Sequence, residues 1–176
     1  EMGMSGKGEI ELLSTLAKPR LAVITNIGES HLLDLGSREG IADAKLEILT
    51  GLQEDGVVIY NGDEPLLKEK LKHASFNLQS FGRSQQNTIY PLHIEAGNEN
   101  TKFITNTCAD EFTIPVLGNH NVLNAMAAIL VATELNVSPE QIRTGLVELK
   151  MTGMRMEMVI GINGENIIND AYNASY

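Results

Sequence analysis

The side chains best suited to chemistry lie within one stretch of the chain, residues 21–49. An apolar run is followed by a polar loop with Glu29 and His31, and one lysine, Lys45, follows among apolar and acidic residues. Carboxylate, imidazole and ammonium groups can bind a metal cation or a phosphate. Because open α/β sheets bind ligands beyond the carboxyl ends of their strands, we expect a ligand site in this loop.

Glu1 and His31 form a candidate magnesium site, because each follows an apparent strand end. Oxygen ligands suit magnesium, and a histidine nitrogen can complete such a site. In the alternative interpretation, His31 is an ordinary loop histidine and Glu1 is a frayed terminal residue. Spacing alone favours this alternative.

Lys45 has two interpretations. The pattern of charges favours a solvated lysine that pairs with Glu39 or Glu47 on the same helix. The alternative is an amine that points back over the strand ends and is desolvated there. Such an amine can lose its proton and react with carbon dioxide, and the resulting carbamate is an anion that binds metal.

Asn121 and Asn124 lie three positions apart in a predicted apolar helix, so they share a helix face. An asparagine amide offers a donor and an acceptor together, which suits an adenine edge. The alternative is a helix cap at Asn119 with Asn124 as a tolerated polar residue. An amide inside so apolar a helix would need a partner, which favours a binding function.

The C-terminal region predicts a β-hairpin with a two-residue turn at Asn163-Gly164. In that register Glu157 faces Asp170 and Arg155 faces Tyr172. The opposite, buried face is then predicted to carry Met156, Met158, Ile160 and Ile167.

Arg155 and Asp170 are therefore expected to be neighbours on one face of the hairpin. An arginine can bind a phosphate, and an aspartate can bind ribose hydroxyls. The alternative is a cross-strand salt bridge, which contributes less than about 1 kcal/mol if it is exposed.

The predicted strands and helices that would position these residues indicate an α/β fold. Strand and helix alternate from residue 21 to residue 81, which favours a mostly parallel sheet flanked by helices. The predicted strands are 21–27, 57–60 and 76–81, and the predicted helices are 9–17, 37–52 and 64–71. The first strand is expected to be buried on both faces.

A small antiparallel sheet is predicted next. Its strands are 89–96, 101–107 and 111–116, with connections at 97–100 and 108–110. Two helices follow, one at 119–135 and one that begins at Ser138-Pro139, where Gln141 completes a capping box.

The amino-acid composition and net charge argue against several classes of function. The 176 residues carry a net charge of −10, which argues against broad binding to nucleic acid or an anionic membrane. The single cysteine, Cys108, excludes an internal disulfide and indicates a reducing cytoplasm. The sequence has no apolar run of membrane-spanning length and no visible signal peptide, so we expect no membrane insertion.

The N-terminal loop, residues 3–8, is rich in glycine. Gly6-Lys7 invites comparison with a phosphate-binding loop, but that motif requires Ser or Thr where Gly8 stands. A flexible turn before a helix is the better interpretation. The chain also starts abruptly after an apparent strand end, and we interpret it as a fragment or a central domain.

Seven short motifs stand in order along the chain. They are Glu-Met-Gly-Met (1–4), Thr-Asn-Ile-Gly-Glu-Ser-His (25–31), Ala-Asp-Ala-Lys-Leu-Glu (42–47), Asn-Gly-Asp-Glu (61–64), Gly-Asn-His-Asn-Val-Leu-Asn-Ala (118–125), Gly-Met-Arg-Met-Glu (153–157) and Asn-Asp-Ala-Tyr-Asn-Ala-Ser (169–175). This ordered set resembles the Mur ligases of peptidoglycan synthesis over essentially the whole chain.

The resemblance implies an ATP-dependent ligase in which the γ-phosphate activates a substrate carboxylate as an acyl phosphate. The motifs at 25–31 and 169–175 favour the family's activity of joining D-alanyl-D-alanine to UDP-N-acetylmuramoyl-tripeptide. The implied cofactors are ATP and Mg²⁺. The resemblance implies that Glu1 and His31 are magnesium ligands and that Lys45 is carbamylated and helps to hold a second magnesium. It also implies that Asn121, with Asn124, contacts adenine. Arg155 and Asp170 would contact the phosphate or ribose of the nucleotide.

The resemblance also implies that residues 1–176 are the central ATP-binding domain of a three-domain enzyme. The family's Gly-Lys-Thr-Thr phosphate loop, its UDP-sugar domain and its C-terminal domain are absent from this sequence. We therefore expect the fragment to be inactive alone and to self-associate through a bare sheet edge. Two alternatives stay open: another ligase of the superfamily, such as a folylpolyglutamate synthase, and a non-catalytic nucleotide-binding or interaction domain.

Overall fold

A three-stranded parallel sheet forms the centre of the computed structural model, which describes residues 1–150, 157–169 and 171–172. Its strands are β1 (Leu21–Ile24), β2 (Val57–Asn61) and β3 (Asn77–Phe81), in the order β1-β2-β3. Leu21 pairs with Val57, and Val57 pairs with Asn77. The predicted α/β class and parallel sheet are confirmed.

Helices precede β1 and connect the three strands, and most of them lie where the sequence predicted a helix. They are α1 (Glu9–Ala17), α2 (Leu32–Leu35), α3 (Arg38–Leu46), a 3₁₀ turn (Glu47–Gly51) and α4 (Pro65–Leu71). The Ser37 hydroxyl accepts from the backbone N–H of Gly40 at 3.0 Å and caps α3. The helix predicted over 37–52 is thus an α-helix that tightens into a 3₁₀ turn, and α2 was not predicted.

The parallel sheet separates two apolar cores. Val58 of β2 packs on one side with residues of α3 and α4, and Val57 and Ile59 pack on the other side with α5 (Asn119–Glu134). This alternation follows from the two-residue period of a strand. Strand β2 is therefore buried on both faces. The same prediction for β1 is wrong, because Val23 of that strand is 37% exposed.

The antiparallel sheet consists of β4 (Pro91–Ala96), β5 (Thr101–Thr105) and β6 (Cys108–Ile114). The rings of Phe103 and Phe112 stack across β5 and β6 with centroids 5.5 Å apart. Residues 108–110 were predicted to be a connection, but Cys108 pairs with Thr105 and begins β6. The tight turn at residues 106–107 replaces the longer connection.

Helix α5 contributes Val122 and Met126 to the core that also contains the antiparallel sheet. Helix α6 (Pro139–Val147) begins with the predicted capping box, in which Ser138 and Gln141 cap each other's backbone N–H groups. No helix in the part of the chain that the structure describes is long and apolar enough to cross a membrane.

The hairpin consists of β7 (Glu157–Ile160) and β8 (Asn166–Asn169), and its predicted register is wrong. Glu157 pairs with Asn169 rather than with Asp170. The reason is a three-residue loop: the Gly161 N–H donates to the Glu165 carbonyl at 2.8 Å, and Gly164 takes a φ of 86°. A glycine with positive φ suits a three-residue loop as well as a two-residue turn.

The corrected register redistributes the apolar side chains of the hairpin. Val159 pairs with Ile167, and Met158 pairs with Ile168, so Ile167 does not share a face with Met158 as predicted. Side chains from both faces are exposed, and the predicted buried face is therefore not found among the described residues of the hairpin.

Candidate functional site

The loop beyond β1 carries His31 at the carboxyl-end edge of the parallel sheet. His31 is exposed, has a φ of 66° and precedes the short helix α2. Its Nδ1 atom lies 3.8 Å from Oδ2 of Asp34. An exposed pair at this distance holds the imidazole only weakly, so the ring can turn towards a ligand.

Glu1 is exposed and lies in an N-terminal segment, residues 1–8, without helix or strand. Residues 1–4, which were predicted to be the end of a strand and the turn after it, therefore do not form a strand within the described residues. Within residues 1–150, 157–169 and 171–172, no three His, Cys, Asp or Glu side chains are grouped as a metal site. Glu1 and His31 do not form a complete protein cage. Magnesium that bridges a nucleotide needs only one or two protein ligands, because phosphates and water supply the others.

Lys45 lies in the last turn of α3 and is half-buried. Its Nζ donates to the carbonyl oxygen of Asn26, in the loop beyond β1, at 2.8 Å. Desolvation by burial lowers the pKa of the Lys45 amine from its usual value of 10.5. The amine therefore points towards the strand ends, as the second interpretation expected.

Within the described residues, Lys45 forms no ion pair with either alternative partner, Glu39 or Glu47, and its amine binds the Asn26 carbonyl instead. The Glu47 carboxylate is engaged elsewhere. Its oxygens accept from the backbone N–H of Gly8 at 2.8 and 2.9 Å, at the N-terminus of α1. A carboxylate is favourable there because it meets unpaired N–H groups and the positive end of the helix dipole.

Arg38, at the start of α3, also contacts the loop beyond β1 and was missed by sequence reasoning. Its Nη2 donates to the carbonyl oxygen of Ile27 at 3.0 Å and to Oε2 of Glu64 at 2.8 Å. Arg38 and Lys45 therefore bind consecutive carbonyl groups from one helix. The spacing of Arg38 and Lys45 along α3 could have indicated that both face the same loop. Their acceptors could not be predicted, because any residue type can supply a backbone carbonyl.

Asp63 anchors the edge of the sheet beyond β2 and was also missed. Its carboxylate accepts from the backbone N–H groups of Arg83 at 2.5 Å and Ser84 at 3.2 Å, and from Nδ2 of Asn87 at 2.9 Å. Asn87 is buried. Three donors on one carboxylate make this corner rigid.

Asn121 and Asn124 differ in their environments. Asn121 is buried, and its Nδ2 donates to the carbonyl oxygen of Leu117 at 2.7 Å. Asn124 is exposed, so the expectation that it needs a partner inside an apolar helix is wrong. The helix turns Asn124 towards solvent, where water can satisfy its amide.

Arg155 and Asp170 lie outside the described residues. Their predicted proximity was derived from a two-residue turn, whereas the described part of the hairpin closes with a three-residue loop. The structure thus brings Lys45, Arg38 and the loop of His31 together.

The model of the family described as Mur ligase middle domain matches residues 1–132. The chain is 54% identical over 175 residues to the UDP-N-acetylmuramoyl-tripeptide–D-alanyl-D-alanine ligase of Bacillus subtilis. The aligned region covers 99% of this chain and 38% of that protein.

Two solved structures have the same fold as this chain. MurF from Acinetobacter baumannii superposes with a TM-score of 0.90 at 32% identity, covering 98% of this chain and 38% of that one. The MurF ligase from Thermotoga maritima in complex with ADP superposes with a TM-score of 0.86 at 26% identity. The superposition covers 99% of this chain and 40% of that one. The chain spans about two fifths of the length of each of these relatives.

Proposed function

Because the chain belongs to the Mur ligase family through its middle domain, we propose that it is the nucleotide-binding part of an ATP-dependent ligase. The ligase would join D-alanyl-D-alanine to UDP-N-acetylmuramoyl-tripeptide in the cytoplasm. The observation that carries the proposal is the 54% identity to the Bacillus subtilis ligase along nearly the whole chain. The ADP bound in the Thermotoga maritima relative supports a nucleotide site.

The proposed reaction has two steps. The tripeptide carboxylate attacks the γ-phosphorus of ATP. The bond between the γ-phosphorus and the oxygen that bridges it to the β-phosphate breaks, so ADP departs and the tripeptide becomes an acyl phosphate. The amine of D-alanyl-D-alanine then attacks the acyl carbon, loses a proton, and expels inorganic phosphate. Magnesium would neutralise negative charge on the phosphates.

The proposed role of Lys45 starts from its lowered pKa, which increases the share of free amine. The free amine adds to carbon dioxide and releases one proton, which gives a carbamate. The carbamate nitrogen keeps one N–H, so the hydrogen bond to the Asn26 carbonyl can persist. The cationic side chain thereby becomes an anionic ligand for one magnesium ion, and His31 and Glu1 would be ligands of a separate magnesium ion.

The proposed nucleotide contacts come from α5 and the C-terminal region. The hydrogen bond to Leu117 uses one of the two N–H groups of the Asn121 amide. The exposed amide of Asn124 can offer a donor and an acceptor to the adenine edge. Arg155 and Asp170 are proposed to contact the phosphate or ribose.

The test uses the complete reading frame that encodes these residues. The purified product is incubated with ATP, Mg²⁺, UDP-N-acetylmuramoyl-tripeptide and D-alanyl-D-alanine, and phosphate release and the pentapeptide product are measured by colorimetry and mass spectrometry. We expect phosphate release only when both substrates are present, and a Gly-Lys-Thr-Thr motif upstream of Glu1. A natural start next to Glu1, or no peptide product, would contradict the proposal.

A further inference from the structure

Arg38 joins three parts of the chain through one nitrogen atom. Its Nη2 donates to the Ile27 carbonyl in the loop beyond β1 and to the Glu64 carboxylate beyond β2, while its own backbone begins α3. The contact with Ile27 spans 11 residues of chain. His31 and the short helix α2 lie between these two ends.

The segment enclosed by this contact, residues 28–36, is exposed along most of its length, and Leu33 is fully exposed. Its base is fixed, because Ile27 is 3% exposed and packs in the core beneath the sheet. The contact from Arg38 adds a restraint to the Ile27 carbonyl at this base, and its loss would increase the conformational entropy of the adjoining loop.

Glu64 fixes the direction of the Arg38 guanidinium. The Glu64 side chain is 11% exposed, whereas that of Arg38 is 45% exposed. The second carboxylate oxygen of Glu64 accepts from the backbone N–H of Leu66 at 3.3 Å and caps α4. A carboxylate held at a helix terminus cannot follow a moving arginine, so it orients the arginine towards Ile27.

We propose that Arg38 is a positioning residue that holds the loop of His31 at the ligand-binding edge of the sheet. The proposal rests on the proposed function, since the role of His31 is part of that function. The guanidinium acts through the Ile27 carbonyl, to which it donates at 3.0 Å. Lys45, which binds the neighbouring Asn26 carbonyl, secures the other side of the loop base.

A matched control exists in the same pair of helices. Lys70 of α4 forms an ion pair with Asp43 of α3, with Nζ and Oδ1 2.5 Å apart. This pair joins α3 to α4, as Arg38 and Glu64 do, but neither residue is in the loop of His31. Methionine at position 38 or 70 keeps an unbranched apolar stem and removes the donor groups.

The first measurement is amide hydrogen exchange of the 176-residue chain and its Arg38→Met and Lys70→Met variants. The reporters are the backbone N–H groups of Leu35 and Gly36, which donate to His31 at 3.0 Å and to Leu32 at 2.8 Å. We expect exchange there to accelerate roughly tenfold in Arg38→Met only, the factor for one lost charge-assisted hydrogen bond. Unchanged exchange in Arg38→Met, or equal acceleration in both variants, would overturn the proposal.

The second measurement uses the enzyme encoded by the complete reading frame. We expect Arg38→Met to raise the Mg²⁺ concentration for half-maximal activity several-fold, with the KM for D-alanyl-D-alanine unchanged, and Lys70→Met to change neither. Faster exchange without this shift would overturn the link to His31. If the unmodified enzyme shows no ligase activity, the proposed function fails, and the exchange measurement alone decides whether Arg38 holds the loop.

Discussion

Lys45 and His31 belong to the same region beyond β1, but the fold constrains them to different degrees. Lys45 is half-buried, and its amine is bound to the Asn26 carbonyl. His31 is exposed, and among the described residues its imidazole has one charged neighbour, the Asp34 carboxylate, at 3.8 Å. The protein alone therefore organises one half of the candidate site. The other half depends on a loop whose base is fixed and whose tip is not.

This difference follows from the energetics of the two groups. Holding an amine partly out of water costs free energy, and the packing of α3 on the sheet offsets this cost for Lys45. A histidine that binds a metal together with a nucleotide must adjust when that ligand arrives, and an exposed loop permits this. Lys45 belongs to the preorganised part of the site, and His31 to the adaptable part.

The largest effect is expected from Lys45→Ala in the complete enzyme. We expect a loss of about a hundredfold or more in kcat, because a preorganised charge would disappear from the site. Added bicarbonate or short carboxylates should restore part of the activity by occupying the position of the carbamate. The measurement is phosphate release with and without these anions. Full activity in Lys45→Ala would exclude the carbamate role.

A smaller effect is expected from His31→Ala. We expect the Mg²⁺ concentration for half-maximal activity to rise roughly tenfold, the loss typical of one weakened ligand contact. The free energy of unfolding should change by less than about 1 kcal/mol, because the imidazole is exposed. Metal titrations and urea unfolding measure the two quantities.

Asp34→Ala is the control for His31, since it removes the neighbouring carboxylate and keeps the imidazole. We expect its metal dependence to equal that of the unmodified enzyme. An equal shift in both variants would mean that loop structure, and not the imidazole, sets the metal dependence. The contrast between an adaptable His31 and a preorganised Lys45 would then no longer hold.

Local sequence rules predicted most of the fold. The alternation of strand and helix gave the parallel sheet, and Ser138 with Gln141 gave a helix start that the structure reproduces. These features depend on residues close in sequence, or on apolar periodicity that one packed face enforces. The register of the hairpin failed because Gly164 permits two loop lengths, and each places the following strand differently.

The candidate site was less predictable because backbone acceptors hold it together. The carbonyl groups of Asn26 and Ile27 bind Lys45 and Arg38, and any residue type could supply those oxygens. Asn124 shows a second limit: its spacing from Asn121 was correct, but the spacing did not reveal which side of α5 faces solvent. Tertiary packing decides both points.

The smallest effect is the dependence of stability on the protonation of Lys45. Burial lowers the pKa of this amine in the folded chain below its usual value of 10.5. Between the folded-state pKa and 10.5, the unfolded chain binds more protons, so the free energy of unfolding rises with pH. The stability is present above 10.5 and is lost as the pH falls through the folded-state pKa.

Urea unfolding of the chain and of Lys45→Met across this pH range measures the effect, because titration of the other lysines cancels in the difference. We expect the free energy of unfolding of the unmodified chain to increase relative to that of Lys45→Met as the pH rises. A difference that does not vary with pH would mean that the amine is as well solvated in the folded chain as in the unfolded one. Lys45 would then be no more preorganised than His31, and the two halves of the site would be equivalent.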